Sequence, residues 1–316
     1  MRIAYFDPLG RAWERMKTAL FKPFDLHKWF VVGFNAFLAG LAEASNGSGG
    51  GRAGGHGHMT FGEFLNLPGK AWGWLTTHPG WFVAIIFGAM VLIVIGILVL
   101  WLSSRGKFMF LDNVVRNGAE IAKPWKQFRT ASDSLFLWRL VFTFVVIAVT
   151  VAFAVLFFVT ARGLYFASSG GRIPWPLLLG VGFIFLLLFI VLAYITTFLN
   201  DFVVPIMYKN GITATQGWRC FLSLFGRYPF YFILYGLFMF LLMILFVIVV
   251  IIAGLITCCI GWLLLVIPYI GTVVTLPVWY TFRAFSLEFL GQFGPDYVLF
   301  PAPEPPPAAP PAEAVV

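Results

Sequence analysis

Charged side chains are scarce in this sequence, and their scarcity excludes a water-soluble globular protein. Only 11% of the 316 residues are Asp, Glu, Lys or Arg, and 60% are hydrophobic. Soluble domains carry about 25% charged residues. The longest stretch without charge covers residues 228–282. Because about 20 helical residues cross a bilayer core, this stretch alone predicts two crossings.

Alternation of polar and apolar residues is also missing from the hydrophobic runs, which argues against the strands of a membrane β-barrel. Residues 241–250 read LLMILFVIVV, without one polar side chain, so helices are the predicted spanning elements. Cysteine is rare as well. Cys220, Cys258 and Cys259 show no paired spacing, which argues against a disulfide framework. The composition therefore predicts an all-α integral membrane protein.

Motifs for catalysis and cofactor binding are missing too. The sequence has no glycine-rich phosphate loop, no Ser-His-Asp set and no metalloprotease spacing. His56 and His58 lie in a glycine-rich stretch with no carboxylate or cysteine beside them, which makes an incomplete metal site. We therefore expect no enzyme activity, no cofactor and no metal site.

Hydrophobic runs predict a helical bundle of about six transmembrane helices in a membrane domain of residues 26–295. An amphipathic helix on the cytoplasmic surface is predicted for residues 1–25. A proline-rich, disordered cytoplasmic tail is predicted for residues 296–316. The spans are expected at 26–44, 79–103, 138–161, 176–199, 229–253 and 262–284, with an external glycine-rich loop at 45–59. The first span is the weakest, and a re-entrant segment is the alternative interpretation.

Basic residues are distributed unevenly between the two sides of this layout. One side holds 17 lysines and arginines, and the other holds 4. Since cytoplasmic segments carry the excess of positive charge, both termini are predicted in the cytoplasm. The expected location is the cytoplasmic (inner) membrane of a bacterium or archaeon. The net charge of +8 does not indicate nucleic-acid binding, because the cations border apolar spans instead of forming one patch.

A basic belt mixed with aromatic residues follows the second span and is the candidate binding site. Its cations are candidates for contact with anionic lipid headgroups, and simple topological anchoring is the alternative. The candidate headgroup residues are Arg105, Lys107, Arg116, Lys123, Lys126 and Arg129. Trp13, Trp125 and Trp218 are predicted interfacial anchors, because the indole ring is apolar while its N–H stays hydrated. The predicted partners are membrane lipids, and either another membrane protein or a second copy of the chain.

Two cytoplasmic connections resemble each other at an offset of 93 residues, which indicates an internal repeat. Asn117-Gly118 precedes Trp125 in one, and Asn210-Gly211 precedes Trp218 in the other. Each Asn-Gly pair predicts a helix end followed by positive φ at the glycine. Chance is the alternative explanation, because the basic, aromatic ends of membrane helices look alike.

Three segments give the chain a resemblance to known proteins. They are AWERMKTALFKPF at 12–24, the two Asn-Gly-x6-Trp connections, and YTFRAFSLEFLGQFG at 280–294. These segments resemble a poorly characterised group of six-span prokaryotic membrane proteins. That group is similar to the membrane domain attached to some glycerophosphodiester phosphodiesterases. The resemblance implies a six-helix membrane domain of unknown role, and the chain carries no phosphodiesterase catalytic domain.

Two functions are compatible with these features. The favoured hypothesis is a non-enzymatic role in lipid interaction, membrane organisation or scaffolding. The alternative is a permease or channel for a small or lipidic solute, since repeats are common in transporters. Ionisable residues at mid-span would mark a transport pathway. Arg139, Arg162, Asp201 and Arg283 all lie near predicted span ends instead. A pairing of Asn200-Asp201 and Arg283-Glu288 across the cytoplasmic ends is one interpretation, and solvated helix ends are the favoured one.

Overall fold

The computed structural model of the protein describes residues 3–47, 60–167, 174–257 and 260–300. Within these ranges almost every residue is helical and no strand occurs, which confirms the all-α prediction. A π-helical turn covers Leu199–Val203, and a short 3-10 helix covers Pro295–Tyr297. The helices are α1 Phe6–Phe21, α2 Leu26–Gly47, α3 Phe61–Thr77, α4 Pro79–Arg116, α5 Ala122–Gln127, α6 Arg129–Ala167, α7 Trp175–Phe198, α8 Val204–Asn210, α9 Ala214–Arg227, α10 Pro229–Ile256, α11 Ile260–Val266, α12 Pro268–Val274 and α13 Leu276–Gly291.

Four helical stretches in the described residues are long and apolar enough to cross a membrane. They are Pro79–Arg116, Arg129–Ala167, Trp175–Asn210 and Pro229–Ile256, and they contain the second to fifth predicted spans. The most apolar window of each is almost entirely unburied within the chain, at 0%, 0%, 0% and 6% of its residues. An exposed apolar surface of this extent is that of a membrane protein.

The helices extend beyond the predicted spans. α4 continues past residue 103 to Arg116, and α6 already begins at Arg129. A helix of 38 residues is about 57 Å long, well beyond the ~30 Å of a bilayer core. The predicted connection between these spans is therefore mostly helix, and only α5 and short turns remain between α4 and α6.

The last predicted span, 262–284, is not one continuous helix. It is divided among α11, α12 and α13, with breaks at Ile267 and Thr275. Pro268 starts α12, and Pro277 lies in the first turn of α13. Proline lacks the N–H that would continue the preceding helix, which explains both breaks.

Buried side chains collect at one end of the long helices. This region, which we call the basal core, consists of α1, the middle of α2, α9, α13, residues 103–116, residues 198–210 and the first turns of α6 and α10. Phe202 lies at its centre, with ring centroids of Phe221, Phe232 and Tyr235 within 5.4 Å. Aromatic pairs at this spacing add to the burial of apolar area, so the basal core is the tightly packed part of the molecule.

Helix α1 is amphipathic, as predicted, but its apolar face packs on protein. Met16 and Leu20 are fully buried in the basal core, whereas Trp13 is 48% exposed. The guanidinium Nε atoms of Arg11 and Arg15 lie 2.8 and 2.6 Å from the carboxylate of Glu288 on α13. Trp13, one of the predicted anchors, therefore faces outward. The rest of the apolar face of α1 is covered by the basal core, which includes α13.

Helices α2 and α4 pack antiparallel with a very close backbone approach. The hydroxyl of Ser103 donates to the carbonyl of Ala39 over 2.9 Å. A Cβ on Gly106 would lie 2.5 Å from the backbone nitrogen of Ala39 and 2.6 Å from the carbonyl carbon of Leu38. Only glycine fits at this crossing. α2, the first predicted span, thus lies beside the polar half of α4 rather than beside its apolar half.

The two Asn-Gly turns end their helices differently. Positive φ at Gly211 (63°) is confirmed, but the expectation for Gly118 is wrong, because Asn117 takes the left-handed conformation with φ of 54°. Asparagine tolerates this conformation better than other residues with a Cβ. Neighbouring Asn113 also holds the turn, since its Oδ1 accepts the N–H of Glu120 over 2.9 Å. The internal repeat itself stays a prediction.

The tail begins later than the sequence indicated. Tyr297, Leu299 and Phe300 pack against the basal core, and the ammonium of Lys209 donates to the carbonyls of Pro295 and Asp296 over 3.0 and 2.8 Å. Residues 296–300, which were predicted to belong to the tail, are therefore part of the packed structure. Residues 301–316 and most of the glycine-rich stretch 45–59 lie outside the described residues.

We predict that Gly106→Ala lowers stability and Gly96→Ala does not. Both glycines lie in α4, but the methyl group overlaps the α2 backbone only at position 106, and position 96 has nothing within 4 Å. Overpacking of this kind costs about 1–3 kcal/mol. The measurement is the thermal unfolding temperature in one detergent. Equal unfolding temperatures for the two variants would contradict the close crossing.

Candidate functional site

A group of charged side chains is buried where the apolar parts of α4 and α6 meet the basal core. Lys107 on α4 is 3% exposed and Arg139 on α6 is 8% exposed. Both donate to the same oxygen, Oε1 of Glu43 on α2, over 2.8 Å from Lys107 Nζ and 3.1 Å from Arg139 Nη2. The side chain of Glu43 is 45% exposed. One half-exposed carboxylate therefore balances two buried cations.

Two serines complete this group. Arg139 Nη1 donates to Ser103 Oγ and Ser104 Oγ over 3.2 and 3.3 Å. Ser104 Oγ donates in turn to the carbonyl of Leu100 over 2.8 Å. These hydrogen bonds satisfy the guanidinium inside the protein and tie α2, α4 and α6 together at one point. We call Glu43, Ser103, Ser104, Lys107 and Arg139 the charge network.

A second buried group is created by the π turn. Val204 N–H donates to the carbonyl of Leu199, one residue further back than in an α-helix. The carbonyl of Asn200 is thereby left unpaired in the helix, because the next residue, Pro205, has no N–H. Arg283 Nη1 on α13 donates to this carbonyl over 2.6 Å. π turns occur often at functional sites, and this one presents a carbonyl to a buried arginine.

Asp201 lies in the same π turn. Its Oδ1 is 3.9 Å from Arg283 Nη1, and its Oδ2 accepts the hydroxyl of Tyr235 on α10 over 3.1 Å. Arg283 is therefore held by one backbone carbonyl and one carboxylate, and Asp201 by one cation and one hydroxyl.

Arg105 is held separately, between two tryptophans. Its guanidinium carbon lies 4.5 Å from the ring centroid of Trp101 and 4.8 Å from that of Trp125. Its Nη2 lies 3.1 Å from the carboxylate of Asp133. Cation–π contacts gain strength when they are desolvated, as here. Trp125 therefore packs the short helix α5 against α4 at Trp101 and Arg105.

The predicted basic belt is divided by the structure into buried and exposed parts. Arg105 and Lys107 are buried and ion-paired within the chain, whereas Lys123, Lys126 and Arg129 are exposed. Arg116 is half-exposed and lies 2.8 Å from Asp112. Only the exposed part is freely accessible to lipid headgroups.

The other predicted residues are placed as follows. Trp218 is partly buried and stacks on Trp138 with a centroid distance of 5.3 Å. Within the described residues, no group of three His, Cys, Asp or Glu side chains could hold a metal ion. His56, His58, Cys258 and Cys259 lie outside the described residues.

Sequence reasoning missed the charge network. The sequence favours solvated helix ends for Asp201 and Arg283 and places Arg139 near a span end, yet all three lie in buried ion contacts. Two signals were present. Ser103 and Ser104 directly follow an apolar run, and Pro205 follows closely on Asp201 inside a helical stretch. The partner Glu43 had no local signal, because it lies 64 residues from Lys107 and 96 from Arg139 in sequence.

The fold and this site define an all-α membrane protein whose helices are joined by buried ion contacts at one end. The chain belongs to the DUF7544 family of unknown function, which it matches over residues 3–277. No curated protein and no solved structure matches it. The resemblance to the membrane domain of glycerophosphodiester phosphodiesterases stays a prediction.

We predict that Arg283→Leu strongly destabilises the protein. It leaves the carbonyl of Asn200 and the carboxylate of Asp201 without their cation, and removing one partner of a buried pair costs about 3–5 kcal/mol. Arg219→Leu, at an exposed position of α9, is the matched control and should change little. Adding Asp201→Asn to Arg283→Leu should restore part of the thermal stability. No loss in the single variant would contradict the role assigned to the π turn.

Proposed function

We propose that this protein is a non-enzymatic integral membrane protein that binds lipids and organises the membrane around it. The observation that supports the proposal is that the tightly packed part of the molecule is separate from the segments that are apolar enough to span a membrane. The side chains that pack on one another belong mainly to the basal core, whereas the apolar windows of the four long helices are almost wholly unburied.

Lipid chains are the natural neighbours of these exposed windows. One large side chain in each of the four, all more than 60% exposed, illustrates the point: Phe87, Leu156, Phe183 and Phe240. Lipid tails are as apolar as these side chains, so hydrophobicity alone does not drive such helices together in a bilayer. Acyl chains would fill the space between them, and a membrane-protein partner or a second copy would use the same surfaces.

Headgroup contact is proposed for the exposed part of the basic belt. Lys123 and Lys126 lie on the short helix α5, and Arg129 begins α6 two residues after it. The side chains of all three are exposed. Basic residues beside a membrane surface attract anionic lipids by about 1 kcal/mol each. Trp125, half-buried against Arg105, holds this helix in place.

Six crossings with cytoplasmic ends are the proposed topology. α1 and α13 pack together in the basal core. The same core contains residues 103–116 of α4 and the first turns of α10. Pro79 lies about 36 Å from Ser103 along α4 at 1.5 Å per residue. Ile256, the last residue of α10, lies similarly far from Phe232, which packs in the basal core. In the proposed topology the chain crosses twice more, before α4 and after α10. The excess of basic residues at the basal core supports its cytoplasmic placement.

A permease remains the second candidate, and one observation favours it. The π turn at Leu199–Val203 and the broken run α11–α13 interrupt helices near buried charges. Discontinuous helices of this kind form substrate sites in transporters. The exposed apolar windows weigh against it, because a conduit needs helices that close around a path.

We predict that Lys123→Gln combined with Lys126→Gln reduces retention of phosphatidylglycerol. The purified protein is exposed to equal amounts of phosphatidylglycerol and phosphatidylcholine, and bound lipid is counted by native mass spectrometry. Two lost charges, at about 1 kcal/mol each, should reduce the preference for the anionic lipid roughly tenfold or more.

The matched control is Lys70→Gln combined with Arg162→Gln. It removes the same charge from exposed positions on α3 and α6 that are predicted to lie on the opposite side. Its lipid preference should stay that of the unchanged protein. An equal loss in both double variants would mean that net charge, not the α5 surface, attracts the lipid.

A further inference from the structure

We propose that Lys107 and Arg139 form a binding site for the phosphate of an anionic headgroup, and that Glu43 occupies this site as an internal counter-ion. The proposal rests on the lipid-binding function and specifies a second, buried site for it. This second site is the charge network, and it is separate from the exposed basic residues Lys123, Lys126 and Arg129.

The donors converge as they would on a phosphate. Lys107 Nζ and Arg139 Nη2 both point at Oε1 of Glu43, at 2.8 and 3.1 Å. Arginine and lysine are the residues that bind phosphate oxygens most strongly. In the present arrangement a single carboxylate oxygen accepts hydrogen bonds from both cations. A phosphodiester offers two unesterified oxygens, one for each cation.

The local charge is positive and favours a bound anion. Lys107 and Arg139 share the single carboxylate of Glu43, so the cations of the charge network outnumber its carboxylates by one charge. Buried charges are costly unless they are paired. An anion that replaced Glu43 would satisfy the same donors, and the carboxylate would regain water, so the exchange leaves no buried cation without a partner.

Glu43 is the member of the network that can leave. Its side chain is 45% exposed, against 4% for Lys107 and 10% for Arg139. It lies in the last turns of α2, whereas the two cations are within long helices anchored in the basal core. Rotation of one side chain outward therefore opens the site without moving α4 or α6.

The site lies at the depth where a headgroup would be found. Ser103 directly follows the apolar part of α4, and Arg139 directly precedes that of α6. Next to them Leu98 and Val141 are 58% and 55% exposed and offer apolar contact to acyl chains. Phosphate and chain would thus be recognised by adjoining surfaces of the same two helices.

The test compares Glu43→Gln with the unchanged full-length protein in detergent. Glutamine keeps the size of the side chain but removes the competing charge. Retention of phosphatidylglycerol over phosphatidylcholine, measured by native mass spectrometry, should rise about fivefold or more. Glu63→Gln, at an exposed carboxylate on α3, is the control and should leave retention unchanged. An unchanged preference in Glu43→Gln would overturn the proposal.

A second variant keeps the test decisive if Glu43→Gln does not fold. Arg139→Lys preserves the charge but loses the planar fork of donors, and retention of phosphatidylglycerol should fall several-fold. Unchanged retention would overturn the proposal. A parallel arm follows thermal stability with inorganic phosphate. Stabilisation by phosphate without lipid retention would identify a free phosphate as the ligand of this same site.

The proposed function and this inference can fail separately. If phosphatidylglycerol retention depends on Lys123 and Lys126 but not on Glu43 and Arg139, the lipid-binding function stands and the buried site is wrong. If retention responds to neither pair, the lipid-binding function itself is wrong.

Discussion

Two buried cations, Lys107 on α4 and Arg139 on α6, share one oxygen of Glu43 on α2, and this contact joins the three helices at one point. Each cation would be strongly destabilising alone in an apolar environment. The carboxylate brings α2 against α4, and the hydroxyls of Ser103 and Ser104 hold the guanidinium from the other side. The glycine at 106 then permits the backbones of α2 and α4 to touch.

Specific packing is concentrated in the basal core, where aromatic and aliphatic side chains are buried together beside ion contacts, and not along the apolar windows of the four long helices. In lipid, aliphatic surface gains little from burial against protein, while ion pairs, hydrogen bonds and close aromatic contacts still do. The aromatic contacts around Phe202 and the Arg283 contact with the π turn follow this rule.

Much of this arrangement could be predicted from the sequence, and the remainder depends on contacts distant along the chain. Uncharged runs identified the four long helices, since length and hydropathy are local properties. The face of α1 that carries Met16 was correctly predicted to be apolar, but whether lipid or α13 would cover it depended on residues 276–291. The partner of Arg139 was equally hidden, because Glu43 lies in a different helix. At Gly118 the local rule failed by one residue, as Asn117 took the left-handed conformation.

The central claim is that the apolar windows of the four long helices face lipid rather than one another or water. Nitroxide labels at Phe87→Cys, Leu156→Cys, Phe183→Cys and Phe240→Cys, in a chain with its native cysteines replaced by serine, test it in liposomes. Power-saturation electron paramagnetic resonance should give high accessibility to oxygen and low accessibility to a water-soluble nickel complex at all four positions. Low accessibility to both reagents at two or more positions would reveal a closed bundle. High accessibility to nickel would reveal an aqueous path, and either result would contradict the account.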